Sequence, residues 1–176
     1  MMKDKTAVLA KKAMHGDASA FGEIYSLFAD EMYHYALYSL GSREAAQDAV
    51  QQTALEAFKG IIKLKNESAA KAWFFGILYN ICKQGQREKY RTEYTPFELC
   101  GELSSTDTSE ELLVGIDLLR LINTLSEQER EIVLLSAVCG YSGKEIAAVT
   151  GIPHGTVRSK LSRALTKLRE ETEGKR

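Results

Sequence analysis

One segment restricts this chain more than any other: SGKEIAAVTGIPHGTVRSKLSRALTKLR, residues 142–169. Two short amphipathic stretches meet there at Gly151, a residue free to take the left-handed turn that ends a helix. Pro153 follows, and its fixed φ and missing N–H suit the first turn of a new helix. Ser142 and Glu145 form an S-x-x-E capping box, so a helix start is expected there. Ile146, Val149, Val157, Leu161, Ala164 and Leu165 fall on the facing sides of the two helices, and Ala147 with Gly151 leaves room for a close crossing. This spacing predicts a helix-turn-helix. Positions 154–169 hold five Arg or Lys and no Asp or Glu, so the outer face of the second helix is basic. A solvated basic face is the bland interpretation. The functional one places Arg158, Ser159 and Arg163 at base edges in a major groove, where a bidentate arginine discriminates by about 1–3 kcal/mol. Lys144, Thr156, Lys160 and Lys167 would then hold phosphates, which fix register without reading bases.

Elsewhere the apolar residues recur at helical spacing and nowhere alternate as in a half-buried strand. Phe21, Ile24, Tyr25, Phe28, Met32, Tyr35 and Ala36 predict a helix over 18–40 that ends at Gly41. Ser42 can cap the next, which runs to about Ile61 with Ala46, Ala49, Val50, Thr53, Ala57 and Ile61 inward. A polar loop covers 63–69, and a third helix covers 70–91 with Ala70, Phe74, Ile77, Leu78 and Ile81 inward. Leu118, Leu121, Ile122 and Leu125 make a further helix face, and Ser126 with Glu129 forms another capping box before a helix over 127–138 that Gly140 ends. The expected fold class is all-α: three helices over 1–95, a flexible acidic linker over 96–117, then four shorter helices over 118–176 that include the helix-turn-helix. Twenty-two linker residues could extend to about 75 Å, enough for the two domains to bind sites one or two DNA turns apart, roughly 35–70 Å.

The formal net charge of −1 conceals a pattern. Residues 1–95 carry 13 basic and 11 acidic side chains, residues 96–117 carry 0 and 6, and residues 118–176 carry 10 and 7. An acidic middle thus separates two mildly basic ends. No apolar run reaches the ~20 residues of a membrane span, and the first 17 residues lack a secretory h-region and cleavage site, so the cytoplasm is the expected compartment. Cys82, Cys100 and Cys139 are widely spaced, and no Cys/His cluster, Gly-rich phosphate loop or nucleophilic triad signature appears. No enzyme, cofactor, metal or small-molecule substrate is expected.

Two further helix faces stand out. Asp48, Gln51, Gln52, Leu55 and Lys59 line one side of the second helix opposite its core, which reads equally as plain surface or as a partner-binding face. Trp73, Asn80, Lys83 and Arg87 line one side of the third. A lone Trp is usually core, but interleaved with amide and basic groups it also suits a platform for unpaired bases, where stacking contributes ~1–3 kcal/mol per base.

GDASAFGEIY, AAQDAVQQTALEAF, AWFFGILYNI and LSEQEREIVLL…GYSGKEIAAVTGIPHGTVRSKLSRALTKLR resemble, in that order, the motifs of extracytoplasmic-function sigma factors. The resemblance covers nearly all of the chain outside 96–117 and is most specific at GTVRSKLSRA. It implies an initiation subunit of bacterial RNA polymerase serving a stress or envelope-response regulon. Asp48, Gln51, Gln52 and Leu55 would dock on the clamp of the largest polymerase subunit, and the C-terminal domain would meet the flap of the second-largest. The loop before AWFFGILYN, with Trp73, Asn80, Lys83 and Arg87, would capture the −10 element as single strand, and the helix-turn-helix would read the −35 element as duplex. The linker would thread near the active-centre cleft. Since no C-terminal extension is present to regulate the protein, a separate anti-sigma protein is expected as a partner, holding it at the membrane in some cases.

The chain departs from the family pattern at several places. Gln47 replaces one member of an acidic pair, Gln51-Gln52 stands where Gln-Glu is usual, and Cys82, Gln84, Gly85 and Gln86 interrupt the basic cluster. Leu125-Ser126 replaces Leu-Pro. Two other readings follow from the same residues. One is a response-regulator-type activator, whose helix-turn-helix resembles residues 126–168; the absence of a preceding βα alternation opposes it. The other is a non-initiating, sigma-like polymerase-binding protein.

Overall fold

The computed structural model describes residues 2–91 and 120–173, and the expected linker over 96–117 lies outside them. Helix α1 spans Met2–Met14, α2 Ala18–Leu40, α3 Arg43–Gly60 and α4 Ala70–Arg91. After a helical turn at 120–122 come α5 (Glu127–Ala137), α6 (Gly143–Thr150) and α7 (His154–Glu173). Among the described residues there is no strand, in keeping with the all-α expectation.

The helix boundaries follow local chemistry. Asp17 caps α2 by accepting the Ala20 N–H at 3.0 Å, and Gly41, at φ 71, ends it in the left-handed conformation that glycine adopts without strain. Ser42 caps α3 through the Ala45 N–H at 3.3 Å. Both predicted capping boxes form: Ser126 with Glu129 opens α5, and Ser142 with Glu145 opens α6. Helix α1 was not anticipated. Among its described side chains it buries only Leu9, Ala10 and Ala13, a stripe too short and too alanine-rich to stand out as a period. It packs on α2 and against two short 3-10 turns, Ile61–Lys63 at the end of the predicted second helix and Glu67–Ala69 within the predicted 63–69 loop.

The N-terminal core is aromatic. Phe74 of α4 is fully buried, with Phe21 and Phe28 of α2 at centroid distances of 5.9 and 5.6 Å. Burial of one such ring contributes about 1.5–3 kcal/mol. Ile24, Met32, Ala46, Ala57 and Leu78 fill the space around them. In the C-terminal half, Leu125, Val133 and Ala164 form a small cluster flanked by Leu161 and Leu168. Leu165 was expected in this core but is 49% exposed. The inward line of α7 is Val157, Leu161, Ala164 and Leu168, and Leu165 sits 100° around the helix from Ala164.

The two halves touch. Helix α5 lies against α2 and α6 against α4, so Phe75, at the edge of the predicted stripe on α4, is buried by the Tyr141 ring at 5.4 Å. Helix α5 buries Glu131 through Leu135 consecutively because it has neighbours on opposite sides.

Candidate nucleic-acid interface

The helix-turn-helix is built by close approach. A Cβ on Gly143 would come within 3.1 Å of the His154 ring, so α6 meets the start of α7 where α6 has no side chain. Gly151, at φ 73, donates its N–H to the Ala147 carbonyl at 3.0 Å, which ends α6 and turns the chain toward α7. Pro153 directly precedes α7, and its carbonyl accepts the Val157 N–H at 3.0 Å.

That frame leaves one side of α7 to solvent. Arg158, Ser159, Arg163 and Thr156 are exposed, and Lys160 is half-buried. The Ser159 hydroxyl donates to the Thr156 carbonyl at 3.0 Å. Lys144 is exposed on α6. The Lys167 ammonium donates to the Thr124 carbonyl, so it reaches back onto the turn before α5. Glu129 lies beside this face, and its carboxyl is held below the usual range, first by the Ser126 hydroxyl and further by the charges of Lys160 and Arg163.

On α3, Asp48, Gln51, Gln52 and Leu55 are all exposed. The face extends further than the sequence pattern indicated, because Phe58 and Ile62 are 53% and 63% exposed beside Leu55 at 53%. Their signal was available: all three are apolar yet fall off the Ala46–Ala57 buried line. Lys59 of the same face pairs with Glu56 at 3.6 Å, an exposed contact of little energetic weight.

On α4, Asn80 and Arg87 are exposed and Lys83 is half-buried. The Lys83 ammonium sits 5.5 Å from the Tyr79 ring and 3.4 Å from its hydroxyl. Trp73 is half-buried. Its indole packs edge-on to Phe74 at 5.5 Å and fills the gap over Gly60, where a Cβ would approach to 3.1 Å. Its ring is thus held in place at the mouth of the loop that Asn66 stiffens by accepting the Ser68 N–H at 2.9 Å. Trp73, Asn80, Lys83 and Arg87 share one side of α4 and point away from the α6 contact.

Among the described residues, no group of His, Cys, Asp and Glu is arranged to hold a metal, and no helix is long and apolar enough to cross a membrane. Cys82 and Cys139 are buried thiols, both raised above the ordinary range by burial, Cys139 to about 12.

The family description "Sigma-70 region 2" matches residues 24–92, and "Sigma-70, region 4" matches residues 116–168. The ECF RNA polymerase sigma-E factor of Escherichia coli (strain K12) is 30% identical over 174 residues, covering 89% of this chain and 88% of that protein. The ECF RNA polymerase sigma factor BldN of Streptomyces coelicolor is 30% identical over 166 residues, covering 91% of this chain but 63% of BldN. Among solved structures, CnrH in complex with the cytosolic domain of CnrY superposes with a TM-score of 0.76 at 25% identity, over 97% of this chain and 98% of CnrH. The sigma factor RpoE in complex with the anti-sigma factor NepR from Bartonella quintana gives 0.70 at 24% identity over 89% of this chain and 98% of that one, a likeness of fold.

Proposed function

We propose, because this chain belongs to the extracytoplasmic-function sigma factors of RNA polymerase, that it grips one promoter at two points while docked on core enzyme. Sigma factors are initiation factors rather than enzymes, and the two matched regions lie one in each half of the fold. Residues 1–95 form the domain that docks and captures the −10 strand, 96–117 tether it, and 118–176 read the −35 duplex.

The observation that carries this reading is the outward presentation of three separate faces. Arg158, Ser159 and Arg163 on α7 are exposed with no acidic residue on that stretch of helix, which suits base reading in a major groove. Thr156, Lys160 and Lys144 flank them as phosphate contacts, and Lys167 joins them once its ammonium leaves Thr124. On α4, Trp73 supplies a fixed ring, Asn80 a hydrogen-bonding amide, and Lys83 and Arg87 the charge that holds an unpaired strand. On α3, Asp48, Gln51, Gln52 and Leu55 meet the clamp of the largest polymerase subunit, and Phe58 and Ile62 enlarge that contact. The protein acts in the cytoplasm, and a separate anti-sigma protein restrains it, as the named partners of CnrH and RpoE suggest by analogy.

Run-off transcription from a promoter library tests the reading. Core polymerase with this protein should produce start sites that core alone does not. Enhancement only of transcripts made by another sigma factor would indicate an activator, and core binding without new starts a non-initiating protein. Arg163→Ala should weaken use of the cognate −35 sequence by about 1–3 kcal/mol with core binding unchanged. Loss of core binding in that variant would remove Arg163 from the duplex-reading set.

A further inference from the structure

Helix α5 turns one line of side chains toward α7. Leu125, just before the helix, and Val133, inside it, form one cluster with Ala164 of α7, and Leu161 and Leu168 close around them. Glu129 stands between those two at four-residue spacing, so it falls on the same line and faces the middle of α7. The neighbours of Ala164 on that flank of α7 are basic. Lys160 precedes it by one turn, Arg163 by one residue, and Lys167 follows by three. The Lys167 ammonium donates to the Thr124 carbonyl, which brings the turn before α5 over the same flank. Glu129 and Lys160 are both half-buried, as side chains at a helix contact are.

Neither packing nor the helix start requires an acid at this place. A capping box takes Glu or Gln at its third position, and an apolar residue would continue the Leu125–Val133 contact. The Ser126 N–H and hydroxyl both donate to Glu129 Oε2, at 3.2 and 2.6 Å, which engages one carboxylate oxygen and fixes where the charge sits. Ser126 first, and the charges of Lys160 and Arg163 further, hold that carboxyl in its ionised form. From His154 to Arg169 the reading helix has no acid of its own, so α5 brings one to it.

A cation on such a helix meets two kinds of acceptor. Phosphates recur along the whole duplex and carry full charge, whereas a guanine edge offers neutral acceptors at one place. An unopposed flank of Lys160, Arg163 and Lys167 favours the phosphates, because each one neutralised releases a counterion. A carboxylate fixed beside that flank repels phosphate and has little effect on a neutral base edge. It therefore lowers affinity for duplex of any sequence more than it lowers the Arg163–base contact. That difference is specificity.

We propose that Glu129 is a specificity determinant of the duplex reader: its charge, held on the α7-facing line of α5, keeps Lys160 and Arg163 from binding phosphate indiscriminately and leaves Arg163 for a base edge. Glu129 acts through those two side chains and is a positioning residue. The base-reading part rests on the sigma-factor reading above; the restraint on phosphate binding does not. Glu129→Gln retains the cap and removes the charge. With limiting core enzyme and promoters randomised over the upstream element, it should lower the ratio of best to median transcript yield about fivefold, the low end of what one arginine–base contact supplies. The full-length chain, alone and on core, should bind a labelled random-sequence duplex of about 30 bp more tightly, with a salt slope steeper by about 0.9 for one added phosphate. Glu127→Gln removes the same charge from the same turn, about 200° around the helix, and should match the wild type in both readouts. Glu129→Asp keeps the charge and should match it too. A Glu129→Gln protein equal to the wild type in both readouts overturns the proposal, as does a Glu127→Gln protein that repeats its change. A steeper slope with the ratio unchanged overturns the specificity role, and a lowered ratio with the slope unchanged overturns the phosphate restraint. Should Glu129→Gln lose its far-UV helix signal, Glu129→Asp decides: wild-type behaviour supports the proposal, and a lowered ratio with a steeper slope overturns it. If the wild type yields no transcripts, the sigma-factor reading fails while the salt slope still judges the restraint.

Discussion

The N-terminal core and the seam between the two halves bury their groups by different means. Around Phe74 the contacts are ring against ring, with Phe21, Phe28 and Trp73 at 5.5–5.9 Å, and nothing there gains by meeting water. Around Glu131 the carboxylate takes hydrogen bonds from Tyr35, Ser39 and Gln86, within a seam that also buries apolar side chains such as Phe75 against Tyr141. An apolar core is stabilised because its surface leaves water, so it holds until the domain unfolds. Each hydrogen bond of the seam exchanges a solvent partner for a protein partner at a small net difference, about 1 kcal/mol. The same chain thus contains one core that is aromatic and one seam that sets a hydrogen-bonded carboxylate among apolar contacts.

Truncation on each side of that contrast gives the largest expected difference. Phe74→Ala removes a fully buried ring from the middle of three others and should lower stability by about 3–5 kcal/mol, seen as a fall in the urea midpoint and loss of helix signal. Lys71→Ala removes a half-exposed ion pair and its reach to Cys139. It should cost less than about 1 kcal/mol of unfolding free energy. If the urea midpoint fell as far in Lys71→Ala as in Phe74→Ala, the two halves would unfold as one unit and the contrast would be lost.

The sequence was most legible where a feature is local. The capping boxes at Ser126 and Ser142, the cap at Ser42, and the turns at Gly41 and Gly151 depend on residues within a few positions of one another, and each formed as the spacing predicts. The faces of α3, α4 and α7 follow from helical geometry once the buried line is known. Leu165 shows the limit of that argument, because adjacent residues point 100° apart and the pattern does not say how wide a stripe of α7 its neighbours cover. The seam was beyond reach for a different reason. Tyr35 and Glu131 are 96 positions apart, and nothing in either local stretch marks the pairing. Glu131, beside the apolar run Ile132–Leu135, carries no local mark that distinguishes it from a helix-surface glutamate.

Proton uptake offers the finest probe of the same contrast, because it changes the seam and leaves the aromatic core unaltered. Burial is the main influence on Glu131 and raises its carboxyl above the ordinary value, with the bonds from Tyr35, Gln86 and Ser39 and the charge of Arg130 opposing it in part. In the unfolded chain the carboxyl returns to water and to the usual value near 4.3. Folding therefore takes up a proton. The advantage is fully present below the unfolded-state value, declines as pH rises through the folded-state value, and is absent above it. Acidification from neutral should thus add stability through this group, seen as a rise in the urea midpoint relative to Glu131→Gln. The other titratable groups facing Glu131 do not interfere. Tyr35 on α2 is pushed well above the phenol range and Cys82 on α4 above the thiol range, both first by burial. Glu131→Gln carries no proton to exchange, so its stability should lack this pH dependence, and every remaining carboxylate is shared by both proteins and cancels in the difference. A wild-type chain that loses stability on acidification relative to Glu131→Gln would show that the carboxylate, rather than the acid, is the form the seam prefers, and that its three donors outweigh the loss of water.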